Sequence, residues 1–310
     1  MYAPLILFTY NRPFHTQKVL ESLNDSPLAK ETDLYIFCDY PKGELTSKNI
    51  AVRNYLLEFK NISKFKSTTL YISDKHKGLA NSVIDGVTSI INQYGKVIVN
   101  EDDLVCNIDY LKFMNDCLDY YQNNSDIWSI SGWAPKLNST TNNNNNNVFA
   151  TYRGSSWGWA TWKDRWNTVN WDMKHYIKLK HSMLSRQKIK KAGPDLLLML
   201  DYQIKGKIDS WAVRWVCTQA IEHNKKTIYP AYSFVYNIGL DGSGTHSQAS
   251  GNEVVQDLTI PVSYTLNQNP INKKQLNEFN CHYAITPFPL NYIKRIYNHF
   301  FVWKKNNDYY

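Results

Sequence analysis

Short apolar runs alternate with amphipathic stretches through the N-terminal third of the chain. Pro4 to Thr9 reads as a strand, and a helical pattern follows through Val19, Leu20 and Leu23. The unit recurs: Leu34 to Cys38 precedes a helix from about Ala51 to Phe59, and Thr69 to Ile72 precedes one from about Leu79 to Ile91. A fourth strand, Lys96 to Asn100, ends in Glu101-Asp102-Asp103. Strands apolar on both faces and separated by helices predict an α/β fold, with a mainly parallel central sheet covered by helices on both sides.

Beyond the acids, Asn107 to Tyr121 reads as a helix and Ile127 to Ser131 as a strand. The tract Asn142 to Asn147 has no apolar surface to bury and reads as a surface loop. Val148 to Thr151 resumes the sheet. After Gly154 to Trp162 the pattern is mainly helical to about residue 225, including Asp195 to Ile204 and Trp211 to His223, and Thr227 to Tyr229 reads as a last strand. The expected organisation is one domain over 1–255, made of a first half (1–105) and a second half (106–255) with a helical insertion at about 167–207. A tail follows over 256–310, irregular until Pro289 to Lys305, where aromatics and cations recur at helical spacing. That stretch suits either packing on the domain or a peripheral membrane contact through 289–305.

At 310 residues the chain is long enough for one large core. Its net charge of +8 favours anionic partners without choosing among phosphates, nucleic acid and a membrane surface. No nucleic-acid-binding module accompanies the charge, so no nucleic-acid partner is expected. The five cysteines form no CxxC pair, which makes a reducing, cytoplasmic setting the simplest expectation. The first residues lack a basic segment and a long apolar run, and read as a strand opening the domain, not a signal peptide.

In a parallel sheet, ligands bind at the carboxyl ends of the strands. Asn11-Arg12, Asp39, Asp74 to Gly78 and Glu101 to Asp103 all fall there. Three adjacent acids repel one another unless a cation or donors compensate. A divalent metal bridging the phosphates of a nucleotide sugar is one answer, because hard oxygen ligands suit Mg²⁺ or Mn²⁺. The other is an acidic start to the helix expected near Asn107.

With these residues in order, the chain resembles the GT-A (Rossmann-like, nucleotide-sugar-binding) glycosyltransferases, in particular the Golgi α-mannoside β-1,2-N-acetylglucosaminyltransferase family and its bacterial relatives. Val97 to Leu104 and Ile127 to Trp133 resemble that family's acidic metal motif and following strand, and Gly154 to Trp159 its Gly-rich segment beside the donor sugar. The resemblance implies a UDP-sugar donor, a Mn²⁺ or Mg²⁺ cofactor on Asp103, and Glu101 and Asp102 near the donor's sugar and ribose. Within Phe8-Thr9-Tyr10-Asn11-Arg12-Pro13, Thr9 and Asn11 flank the donor and Arg12 approaches its diphosphate. Asp39 and His76 would meet the uracil, Trp157 and Gly158 the sugar, and His246 the active site; the half 1–105 would bind the nucleotide and the half 106–255 the sugar and acceptor. Gly239 to His246 reads as a Gly-rich loop that either closes over the donor or is a plain surface turn.

By the same resemblance Asp209, in Ile208-Asp209-Ser210-Trp211, is the general base of an inverting transfer, with Asp201 in reserve; a cap on the helix starting at Trp211 is its alternative role. The family has an aromatic residue in place of Ile208 and an acid in place of Ser210. This chain is also longer between Trp166 and Asp209, where Lys174-His175, Lys178, Lys180-His181, Arg186, Lys188 and Lys190-Lys191 make a basic region facing either an anionic or lipid-linked acceptor or solvent. The implied function is transfer of a sugar to a glycan or lipid-linked glycan in bacterial surface polysaccharide synthesis, in the cytoplasm or at the inner membrane face. Two alternatives remain: a sugar-nucleotidylyltransferase, which should open with a Gly-rich phosphate loop absent here, and a non-catalytic carbohydrate-binding module using Trp157, Trp159, Trp162 and Trp166.

Overall fold

The computed structural model describes residues 1–141, 147–193, 195–241, 258–268 and 270–283. Most of the asparagine tract, the part of the Gly-rich Gly239 to His246 segment from Gly242 on, and the stretch 289–305 lie outside the described residues. The predicted alternation is present as β1 (Leu5–Thr9), α1 (Pro13–Asn24), β2 (Asp33–Cys38), α2 (Ser47–Ile62), β3 (Ser67–Ile72), α3 (Leu79–Tyr94) and β4 (Lys96–Glu101). It continues through β5 (Leu104–Cys106), α4 (Tyr110–Tyr121), β6 (Ile127–Ser131), α5 (Asn138–Thr141), β7 (Phe149–Thr151), β8 (Trp159–Trp162) and α6 (Lys163–Trp166). The insertion forms α7 (Met173–His181), α8 (Met183–Ala192) and α9 (Leu196–Ile204). Then come α10 (Trp211–Cys217), β9 (Lys226–Tyr229), β10 (Val235–Asn237) and α11 (Lys273–His282).

The strands build an eight-stranded sheet in the order β3-β2-β1-β4-β8-β6-β9-β7, and β10 pairs with β5 in a separate two-stranded ladder. β3, β2, β1 and β4 are parallel to their neighbours, as is β6 to β9, whereas β8 runs antiparallel to both β4 and β6 and β7 antiparallel to β9. The fold is thus the expected α/β, Rossmann-like arrangement, with more antiparallel pairing in its second half than the strand pattern suggested.

Side chains leave alternate faces of a strand, and β1 shows why Leu5 to Phe8 are all apolar. Leu5 and Leu7 join one buried cluster with Val19, Leu20 and Leu23 of α1 and Val52, Leu56 and Phe59 of α2. Ile6 and Phe8 join the other with Val83, Val87 and Ile90 of α3. Local chemistry sets the helix starts. Pro13 opens α1, where its missing N–H costs nothing, and Thr46 with Asn49 forms a capping box on α2.

Three expectations change. The acids do not adjoin a helix, because β5 intervenes and α4 begins at Tyr110 behind Asp109. The tail is not wholly irregular among its described residues: Ile108 N–H donates to the Leu258 carbonyl at 3.0 Å, Ala150 N–H on β7 donates to the Pro270 carbonyl at 2.9 Å, and α11 buries Phe279 against Phe149 and Tyr229. The tail therefore covers the edge of the sheet, where an exposed strand would otherwise invite pairing. Finally, Trp159, Trp162 and Trp166 are core, not a sugar platform, and only Trp157 of the four is half-buried.

Trp159 stands among Trp166, Trp211 and Trp215, with ring centroids 5.6, 4.8 and 4.6 Å away. Trp159→Ala should lower unfolding stability by about 3–5 kcal/mol, since the removed ring leaves a cavity among rigid neighbours. Urea denaturation followed by circular dichroism checks this; a loss below about 1 kcal/mol would mean the cluster collapses to fill the space.

Candidate functional site

The acid turn is held from both sides. Asn100, fully buried at the end of β4, reaches across Glu101-Asp102-Asp103 to donate from Nδ2 to the Leu104 carbonyl at 2.9 Å. On the far side, the Ile238 amide after β10 donates to the Asp103 carbonyl at 2.8 Å. The acids then meet Arg12, which leaves the neighbouring strand β1. Its Nη2 contacts Asp102 Oδ1, and its Nη1 donates to Asp103 Oδ2 at 2.9 Å. The Tyr10 amide adds a bond to Asp102 Oδ2 at 3.3 Å.

All three side chains are largely withdrawn from water, with Asp102 only 5% exposed. Burial opposes the charge on Arg12, but Asp102 and Asp103 more than offset it and its pKa rises. Burial also raises Asp102, against the pull of Arg12. Glu101 is pushed up to about 8 by burial and then by the charges of Asp103 and Asp102. One guanidinium thus faces three acids.

Gly239 completes this half of the site. A Cβ there would lie 2.5 Å from Asp103 Oδ2 and 2.8 Å from Arg12 Nη1, so only a glycine lets the backbone close over the ion pair. His15 of α1 holds the same segment through Nε2, which is 3.2 Å from the Ile238 carbonyl and 3.2 Å from Asp241 Oδ2.

A second group forms at the ends of β2 and β3. Asp39 accepts from the Lys77 amide at 3.0 Å and the Gly78 amide at 2.9 Å, and lies 3.5 Å from His76 Nδ1. Its carboxylate therefore ties the β2 end to the loop before α3. Gly78 has φ +81° at the start of α3, a conformation that strains other residues. Asp209 arrives from the α9–α10 turn, 129 positions from its partner, and accepts from the Ala80 amide at 3.4 Å. Asp209 Oδ2 and His76 Nε2 are 3.4 and 3.8 Å from a Cβ built on Gly78, so both flank one point.

The expected cap on α10 is not Asp209. Ser210 fills that role by accepting from the Val213 amide, while Asp209 sits over the first turn of α3. Asp201 lies on α9 in a 2.6 Å ion pair with Lys205. Thr9 is buried, with its hydroxyl 3.4 Å from the Phe37 carbonyl, and Asn11 is half-buried beside Arg12. Trp157 packs edge-on against Trp133, and Gly158 accepts from the Gly132 amide at 2.6 Å. His246 lies outside the described residues.

The sequence placed Gly78 at a strand end and Gly239 in a Gly-rich loop without giving either a role of its own, and it missed His15. The glycines carried a signal, since each stands at the boundary of an element; His15, on an amphipathic helix, carried none.

The acids suit a hard cation in donor chemistry, being all oxygen, and in charge, since Arg12 offsets only one of three. Among the described residues no group of three or more His, Cys, Asp or Glu side chains has the arrangement to hold a metal ion by itself. Asp103 is the carboxylate nearest the solvent side of the ion pair, at 14% exposure against 5% for Asp102.

No family model matches the chain, and no curated protein does. Solved structures resemble it at low similarity. Staphylococcus aureus TarS 1–349 is 12% identical over 76% of this chain and 60% of its own, with a TM-score of 0.41. GlyE of Streptococcus pneumoniae TIGR4, described as a glycosyltransferase, is 7% identical over 73% and 45%, with a TM-score of 0.36. An apo UDP-glucose pyrophosphorylase is 12% identical over 76% and 93%, with a TM-score of 0.34. This chain thus spans less than two thirds of the first two, and at these TM-scores the likenesses fix neither reaction nor substrate.

Proposed function

We propose that the chain is an inverting, metal-dependent glycosyltransferase that moves a sugar from a UDP-sugar to a glycan or lipid-linked glycan acceptor in bacterial surface polysaccharide synthesis. The observation that carries this reading is the convergence of Arg12, the acid turn, Asp39, His76 and Asp209 on the carboxyl edge of β1 to β4. That edge is where a doubly wound sheet offers a crevice for a nucleotide. Arg12 is a planar fork suited to phosphate oxygens, and two of its five N–H groups are enough for the acids. Asp103 would hold Mn²⁺ or Mg²⁺, which when bound supplies a Lewis acid for the departing diphosphate.

The remaining work belongs to the side chains. Asp209 Oδ2 is steadied by the Ala80 amide, so Oδ1 takes the proton of the acceptor hydroxyl as that oxygen bonds to the anomeric carbon and the bond to the diphosphate breaks. Attack opposite the leaving group inverts the anomeric centre. Asp39 and His76 border the uracil, and Thr9, Asn11, Trp157 and Gly158 border the donor.

Titration with UDP and Mn²⁺, followed by a screen of UDP-sugars for metal-dependent turnover, tests the reading directly. A nucleotidylyltransferase would instead consume UTP and a sugar phosphate, and a binding module would retain glycan without nucleotide. Asp209→Asn should leave UDP affinity within about twofold and cut transfer by at least about 10²-fold; undiminished transfer rejects it as the base. Chelation or Asp103→Ala should abolish turnover, and full activity in either case would refute the metal assignment. Arg12→Met, which strands buried carboxylates, should cost about 3 kcal/mol of stability in urea unfolding without added divalent ion. An unchanged midpoint would show that the acids do not depend on it.

A further inference from the structure

The α7–α8 hairpin concentrates charge to an unusual degree. Residues 173–192 contain seven Lys or Arg and no Asp or Glu, in a chain whose whole net charge is +8. The hairpin's inner side is well anchored. Tyr176 is fully buried, with its hydroxyl bonded to the Asn170 carbonyl and to Thr218, and Ser185, Ile189 and Ala192 are buried at helical spacing along α8. Lys188 turns inward to the Ile221 carbonyl at 2.9 Å, and His175 meets Glu222 at 3.0 Å.

The outer side is different. Lys174, Lys178, Arg186, Lys190 and Lys191 are exposed. Between the helices, Ser182 ends α7 and caps α8, so the corner has a fixed geometry. The first turn of α8 then presents Met183 at 79% and Leu184 at 72% exposure, with Ile177 of α7 at 42%. Two large apolar side chains at this corner, on helices that carry seven cations and no acid, with Asp172 capping α7 and Glu222 paired with His175 beside them, form a surface that water disfavours and an anionic interface suits.

We propose that this hairpin docks the protein on an anionic phospholipid bilayer, with Met183 and Leu184 entering the headgroup–acyl boundary and the surrounding lysines and Arg186 meeting lipid phosphates. A soluble polyanion would explain the cations but gives no reason for the apolar corner. A second copy of this chain would explain the corner but would bring two such cationic faces together. The bilayer accounts for both. Because α9 packs on α7 and α8 and also on α10, docking would set the Asp209 turn at a defined distance from the membrane. The inference goes beyond the transfer reading and needs no donor or acceptor, so each can fail without the other.

The test is co-sedimentation of the full chain with vesicles of phosphatidylcholine alone, and with vesicles containing about one third phosphatidylglycerol. Binding is expected to the second only, weakening with salt. Met183→Ser/Leu184→Ser should reduce partitioning on the order of tenfold, and Arg186→Glu/Lys190→Glu should abolish it, with circular dichroism and melting unchanged because these positions are exposed. Equal sedimentation of wild type and both variants would overturn the proposal. So would a serine variant that turns a dimer into a monomer, or one that loses nothing on vesicles while wild type binds dextran sulfate equally well.

Discussion

Carboxylates gathered at the end of a buried strand repel one another, and in a medium poorer than water that repulsion is costly. At the end of β4 three of them stand in succession, and much of the surrounding architecture serves to hold them. Asn100 closes the turn from beneath and Ile238 pins it from the side. Arg12 supplies the compensating charge, which it can do only because β1 lies directly beside β4 in the sheet. Gly239 matters for the same reason, as any side chain there would enter the space the ion pair occupies. The compensation is incomplete: one guanidinium faces three acids, and burial together with the charges of Asp103 and Asp102 raises the pKa of Glu101.

The first half of this architecture was legible in the chain because the signal was physical and local. β1, β2 and β4 are covered on both sides, so their residues form unbroken apolar runs, and the helices between them carry a single apolar stripe. The later strands lack that redundancy. β5 and β10 are short and pair with each other, and β8, Trp-Ala-Thr-Trp, carries tryptophans that suit a buried core as well as a sugar platform. α11 is mostly polar and depends on Phe279 finding the groove between Phe149 and Tyr229, residues far away along the chain that no window of sequence contains.

The site divides the same way. That Arg12, Asp39 and the acids stand at strand ends could be read directly, because a run that stops in polar residues marks its own end. That Arg12 pairs with Asp102 and Asp103 could not, since it follows from the spatial order 3-2-1-4 and not from chain order. Asp209 illustrates the harder case. Its neighbour Ser210 takes the local capping role, and Asp209 is released to cap a different helix, α3, whose own N-cap is a glycine with no side chain to offer. Local capping rules identified the right kind of residue and the wrong helix.

The balance of charge also constrains how any anionic ligand can enter. A diphosphate approaching Arg12 does not have to displace the acids, because a guanidinium has five N–H groups and the two carboxylates engage only the face toward β4. It must nevertheless add negative charge to a cluster that already has a surplus. Exchange of Arg12 from the carboxylates to the phosphates would strand buried Asp102, which is 5% exposed and unable to recruit water in compensation. Sharing Arg12 leaves the surplus in place, and on the proposed reading a further cation at the rim would offset it. Asp103, at 14% exposure, is the acid that faces that rim while its backbone is locked by Ile238. The same packing that makes the acid turn rigid thus makes it ready to accept an anion only in company with a positive partner.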